Sequence, residues 1–424
     1  MKRLWAIAGM TWRTAVRSRV LLLLVGLVTV SVLLLPLIIR GDGTALGLAQ
    51  LYLDYAFGWS MALLSAAAVW AGAGAVSLEI EHRTIHMLAT KPVRSLELWL
   101  GKWLGLMAVN GLLVVLAASL IYAGLSWVTR PGRMSAADRA TLTARILTAH
   151  EWVPPVAMNA SGGHVAGPGQ TLSRHFVLSP KQAQATVLYL RYRFSTSEGM
   201  RSVPVAGTWV IRAIDGRELF RQRDFAAQFM DNLLRLPPPL RLGRGFSVEY
   251  TNQELQKPLT VVFSATDGLG LLAQVGCFEG NYVRAWLLVL CRLGFFSALG
   301  LTAGCLFSFP VAAFVSFALL FMTALCRFIE RVAARGLPGD VGLSRETPLF
   351  QLWDGINRLV FKGLNVLLPP LPHFNPLDYI SQGMMIDVAQ VGQAFGVLIG
   401  GYGVALGLLG WAAYARRELG LPTE

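Results

Sequence analysis

Charge is scarce in this chain. Only 14% of its 424 residues are Asp, Glu, Lys or Arg, against 54% hydrophobic. With a mean hydropathy of +0.53, this is the balance of a membrane chain rather than a globular one. Acid is the scarcer sign, with 24 Asp and Glu against 37 Lys and Arg and a net charge of +13. Binding of nucleic acid would need that excess gathered on one soluble face. Here it follows the segments between apolar runs, so no nucleic-acid partner is expected. Cysteine is also thin: Cys277, Cys291, Cys305 and Cys326 lack the paired spacing of a zinc site or a disulfide framework and read as small core residues.

The chemistry motifs are missing too. No stretch reads GxxxxGK[ST], so the chain has no phosphate loop and is not expected to hydrolyse ATP itself. No GxSxG elbow occurs, and His150, His164, His175 and His373 lie outside any catalytic constellation. His82 and His86 in "HRTIH" have the i, i+4 spacing of a metal face, but the Glu of HExxH is replaced and no third ligand is near. They read as part of a solvated or docking helix. Neither a metal nor an enzymatic activity is expected.

What is present is long apolar sequence. A span needs roughly 20 apolar residues at about 1.5 Å each, and six stretches read as spans: residues 20–39, 55–77, 100–128, 283–307, 311–326 and 391–414. "FSFP" at 307–310 predicts a tight turn, with Pro310 starting the next helix. The first run is too long for a signal-peptide core and is followed by no cleavage site, so it is expected to remain. Lys2, Arg3, Arg13, Arg17 and Arg19, then Arg83, Lys91, Arg94 and Lys102, then Arg416 and Arg417 fall on one side of six spans. That side is cytoplasmic by the positive-inside rule. A multi-pass protein of the bacterial inner membrane, with both termini in the cytoplasm, is the expected placement. Trp59, Trp99, Trp103, Trp127, Trp286 and Trp411 are expected in interfacial belts.

The fold class that follows is an α-helical polytopic membrane protein of six transmembrane helices with an inserted, mostly β extracytoplasmic domain. Residues 1–19 read as an interfacial amphipathic helix, with Leu4, Trp5, Ala8, Trp12, Ala15 and Val16 on one face and Lys2, Arg13 and Arg17 on the other. Residues 20–128 hold spans one to three, with a charged helical loop at 78–100. Residues 129–282 form the external domain: a helix capped by Ser135, a Pro/Gly-rich linker, then strand-like runs such as "ATVLYLRYRFS". There Leu190, Tyr192 and Phe194 alternate with Arg191 and Arg193. A sandwich or jelly-roll-like arrangement is expected. Spans four and five fill 283–326. An external segment with an amphipathic helix follows at 327–390, span six at 391–415 and a cytoplasmic tail at 416–424. Arg292 lies inside span four, where a charge must face a polar interior or a partner. It reads either as a translocation-path residue or as a structural anchor. Arg284 reads as a snorkelling residue.

The charged loop carries the functional signal. Glu79 and Arg83 form an i, i+4 pair, Lys91-Pro92 ends the helix, and Ser95 can cap the next one. Glu81, Thr84, Leu88, Pro92, Arg94, Glu97, Gly101 and Lys102 stand at the spacings of the loop between spans two and three in membrane subunits of type-2 ATP-binding-cassette transporters, the ABC-2 permeases, which this chain resembles. Arg83 replaces that family's usual Gly. The resemblance covers the spans and not the external domain.

The resemblance implies a transport subunit, an exporter, that pairs with a second permease half and two copies of a cytoplasmic ABC ATPase. ATP and Mg would be bound by that ATPase. It also implies that Glu79, Glu81, His82, Arg83, Thr84, Leu88, Pro92, Arg94, Glu97 and Lys102 form or flank a coupling helix docking on the ATPase. The lipid bilayer and a periplasmic substrate or partner protein complete the expected contacts. The alternative is a membrane-anchored scaffold whose sandwich binds an envelope component while the ATPase drives mechanical work.

Overall fold

In the computed structural model, which describes residues 2–38, 45–81, 94–130, 134–156, 165–197, 204–238, 243–253, 259–263, 268–325, 355 and 369–416, the apolar runs form helices. Helix α1 (Lys2–Val16) leads into α2 (Arg19–Ile38), α3 (Ala45–Glu81), α4 (Ser95–Val128) and the polar α5 (Ala136–Arg145). A β region follows, and after it come α6 (Phe278–Leu306), α7 (Phe309–Ala324) and the short α8 (Leu377–Ser381). The last helix is built from α9 (Val388–Ala394), a π-helical stretch (Phe395–Gly403) and α10 (Val404–Arg416). Helices of spanning length and apolarity cover Gly47–Glu81, Ser95–Val128, Phe278–Leu306 and Val388–Tyr414, which makes this a membrane protein. Two of the six expected stretches appear as shorter apolar helices, Leu22–Leu35 and Phe309–Ala324. The chain divides into two compact units, one of Met1–Leu142, Tyr282–Gln382 and Ile386–Glu424, the other of Thr143–Asn281 and Gly383–Met385.

Within the helical unit, small residues set the packing. Lipid offers apolar helices no hydrophobic drive to associate, so close backbone approach must supply the attraction. Helices α3 and α6 meet at Gly72, Ala73, Gly300 and Gly304: a Cβ on Gly300 would lie 2.5 Å from the Val69 carbonyl oxygen, and one on Gly72 2.8 Å from that of Ser297. Helix α1 lies on α4 in the same way, where a Cβ on Gly101 would meet the Ile7 side chain at 2.8 Å and one on Gly105 the Ala8 carbonyl at 2.7 Å. The face of α1 that packs on α4 is therefore Ile7, Ala8 and Thr11, which shares only Ala8 with the apolar face expected, and Trp5 points outward. Short side chains enter the glycine groove where an indole would not fit.

Other expectations change for the same reason, that protein and not lipid surrounds the residue. Trp99 and Trp286 are buried rather than interfacial, Trp286 lying 4.6 Å from the Phe57 ring. The Arg284 guanidinium donates to the Ile386 carbonyl at 3.1 Å instead of snorkelling. The "FSFP" turn forms as expected, with Ser308 preceding α7 and Pro310 in its first turn. Cys291 and Cys305 are buried, whereas Cys277 is exposed. The amphipathic helix expected within 327–390 and Cys326 lie outside the described residues.

The other unit contains β1 (Thr148–Val153), β2 (Val165–Ala166), β3 (Thr171–Val177), β4 (Leu188–Tyr192), β5 (Phe194–Thr196), β6 (Val205–Ala213), β7 (Glu218–Ala226), β8 (Asn232–Leu236), β9 (Gly245–Asn252), β10 (Val261–Phe263) and β11 (Leu269–Cys277). They pair antiparallel in three sheets of order β1-β11-β4-β8, β2-β10-β5 and β3-β9-β6-β7. Side chains from all three enter one core. At its centre Trp209 packs 4.7 Å from both the Tyr192 and Tyr250 rings, and the Tyr192 hydroxyl donates to Asp224. Helix α5 begins as expected: Ser135 Oγ accepts from the Asp138 N–H at 3.0 Å and donates to its carboxylate at 2.7 Å.

The alternation through Leu190, Tyr192 and Phe194 is real, but it crosses from one sheet to another. Strand β4 ends at Tyr192 and β5 starts at Phe194 in the second sheet. Residues Gly383–Met385 join this unit by pairing with β1: the His150 N–H donates to the Gly383 carbonyl at 2.8 Å, and the Met385 N–H to the His150 carbonyl at 2.7 Å. Gly383 has a φ of +65°, and a Cβ there would sit 2.4 Å from the Arg145 carbonyl oxygen, so only glycine fits this turn.

Candidate functional site

An ion pair joins the end of α3 to the start of α4. On α3, Ala75 and Glu79 are four residues apart and so share a helix face. Lys102, in the second turn of α4, reaches both. Its ammonium lies 2.6 Å from Glu79 Oε1 and donates to the Ala75 carbonyl at 2.6 Å. The Lys102 side chain is 1% exposed and that of Glu79 25%. An ammonium in such surroundings is tolerable only when paired and hydrogen-bonded. Around it lies an apolar cluster of Ile7, Val76, Leu98, Trp99, Leu301, Cys305 and Tyr414. Lys102 was expected on the docking surface. Because α4 turns it inward, it ties α3 to α4 instead.

More bonds fix the same end of α4 to its neighbours. Trp103 Nε1 donates to the Gly294 carbonyl at 3.0 Å, and the Trp99 and Trp103 rings stack at 6.4 Å. Trp99 fills the space beside Gly407 and Gly410 on α10. Further along α4, Asn110 Nδ2 donates to Ser297 Oγ at 2.8 Å. Thr302 Oγ1 donates to the Leu406 carbonyl at 2.9 Å. The base of the charged segment is thus tied through α4 and α6 to the last helix.

Of the expected docking residues among those described, Glu81 and Arg94 are exposed and Glu97 is half-buried. The first residue of α4 is Ser95, so Ser95 does not cap it. The Arg94 N–H donates to Glu97 Oε2 at 3.4 Å instead, and the carboxylate complements the helix N-terminus. His82, Arg83, Thr84, Leu88 and Pro92 lie outside the described residues. Arg292 is half-buried on α6 with its guanidinium 5.4 Å from the Phe296 ring centroid. Of the ten loop residues, the structure therefore brings together Glu79 with Lys102 and Arg94 with Glu97, and Arg292 belongs to neither group. Among the described residues, no group of three or more His, Cys, Asp and Glu could hold a metal ion.

Sequence reasoning missed Asn110, Ser297 and the glycine contacts. A signal was present: Gly101–Gly105 and Gly300–Gly304 both read GxxxG, the small-residue spacing of membrane helix interfaces. Asn110 is a polar residue in an apolar run, which lipid penalises unless it is bonded. No protein-family model matches the chain, and no curated protein and no solved structure matches it.

Proposed function

We propose that this chain is the membrane subunit of an ABC-2 type exporter. It spans the bacterial inner membrane six times with both termini in the cytoplasm, and pairs with a second permease half and with two copies of a cytoplasmic ATPase. The supporting observation is the Glu79–Lys102 pair. A segment that transmits force must be clamped to the helices it moves, and this pair clamps both ends of a charged segment bearing Glu81 and Arg94. Since the sequence has no phosphate loop of its own, ATP and Mg would be held by the partner.

The test is affinity purification of the tagged chain from its native membrane, followed by an ATPase assay. The expected result is a co-purifying nucleotide-binding subunit whose hydrolysis responds to a translocated substrate. In the Glu81→Lys, Arg94→Glu variant that subunit should be lost or its response abolished. If the variant keeps both, the coupling assignment is wrong. Stimulation by an outer protein partner with no transported substrate would favour the scaffold reading instead.

A further inference from the structure

Between α1, α2, α3 and α4 lies an apolar crevice of about 160 Å³. Leu24, Trp70, Leu78, Leu106, Val109 and Leu113 line it. A dry apolar cavity of about 150 Å³ is enough to take a benzene-sized molecule, so this one admits several methylenes. Left empty it would forfeit the dispersion contacts of its lining, and in a bilayer the available filler is an acyl chain.

The rim is polar and then basic. Thr11, Thr14 and Ser18 line the crevice where α1 turns into α2. Arg13, Arg17 and Arg19, each next to one of these in sequence, are exposed. None of the ion pairs among the described residues involves them. Residues 1–41 contain no Asp or Glu at all. Deeper in the crevice, Glu79 Oε1 is paired with Lys102 and Asn110 Nδ2 donates to Ser297 Oγ.

We propose that this crevice binds one acyl chain of an anionic phospholipid whose phosphate is held by Arg13, Arg17 and Arg19. Charge selects the headgroup, and the crevice selects a lipid over a free anion. The lipid would fasten α1 to the remaining helices beside its contact with Gly101 and Gly105. This site is independent of the transport reading and stands or falls without it.

The test is native mass spectrometry of the purified full chain, titrated with phosphatidylglycerol or with phosphatidylcholine of the same acyl chains. At roughly five-fold per basic contact, three contacts should make phosphatidylglycerol bind on the order of 100-fold more tightly than phosphatidylcholine. The Arg13→Gln, Arg17→Gln, Arg19→Gln variant should bind the two alike. Thr14→Trp, a plug at the exposed rim, should weaken both. Equal binding of the two lipids by the unaltered chain overturns the proposal, as does a preference that survives the triple variant. Displacement of the lipid by inorganic phosphate, or unchanged binding in Thr14→Trp, overturns the acyl-chain site even if the triple variant fails to accumulate.

Discussion

At the scale of single residues, two buried ionisable groups define what can be measured. Lys102→Met leaves the Glu79 carboxylate without its cation and should cost about 3 kcal/mol, seen as a lower melting temperature of the purified chain. Adding Glu79→Gln should restore part of the loss. His150 is 2% exposed, and neither ring nitrogen has a hydrogen-bond partner among the described residues. Burial pushes its pKa below the ordinary 6.5, with the nearby Gly383 backbone opposing. The unfolded chain then takes up a proton below 6.5 that the folded chain refuses, so stability falls as pH drops from 6.5 toward the depressed value and is level above it. Thermal unfolding followed from about pH 8 to about pH 5 should show that decline, and His150→Phe should flatten it. Sequence spacing placed Glu79 and Lys102 in one loop pattern but not in one ion pair. Only the rotation of α4 decides that Lys102 points inward.

At the scale of elements, glycine separates packed faces from free ones. Gly300→Leu should drive a side chain into the α3 backbone, where even a Cβ would lie 2.5 Å from the Val69 carbonyl. It should cost about 1–3 kcal/mol or more. Gly111→Leu on α4, where a Cβ meets nothing within 4 Å, should be close to neutral. Melting temperatures of both variants in the same detergent give the comparison. The helices were legible because apolar runs of span length allow little else. Their faces were not, since helices apolar all round carry no amphipathic direction. In the β unit, β4 and β5 were legible from the alternation of Leu190, Tyr192 and Phe194 with Arg191 and Arg193. Strand β11, "LGLLAQVGC", merges in sequence with the apolar run that follows it, and only its pairing with β1 and β4 marks it as a strand.

At the scale of the whole molecule, topology can be read through the cysteines. In a Cys326→Ser background, a membrane-impermeant maleimide added on the side proposed to be external should label Cys277, which is exposed, and not Cys291 or Cys305, which are buried. Labelling of Cys277 only after the membrane is broken would place the β unit in the cytoplasm and reverse the proposed orientation.

The Glu79–Lys102 pair also bears on how the chain is made. Entering lipid singly, either charge costs up to about 3 kcal/mol at a helix centre, less near an end. Entering as a neutralised pair, the two helices avoid most of that cost. Helix α3 is synthesised before its counter-ion, so it gains by waiting at the insertion machinery until α4 arrives. Biogenesis by hairpin, rather than helix by helix, is the economical order for this part of the chain.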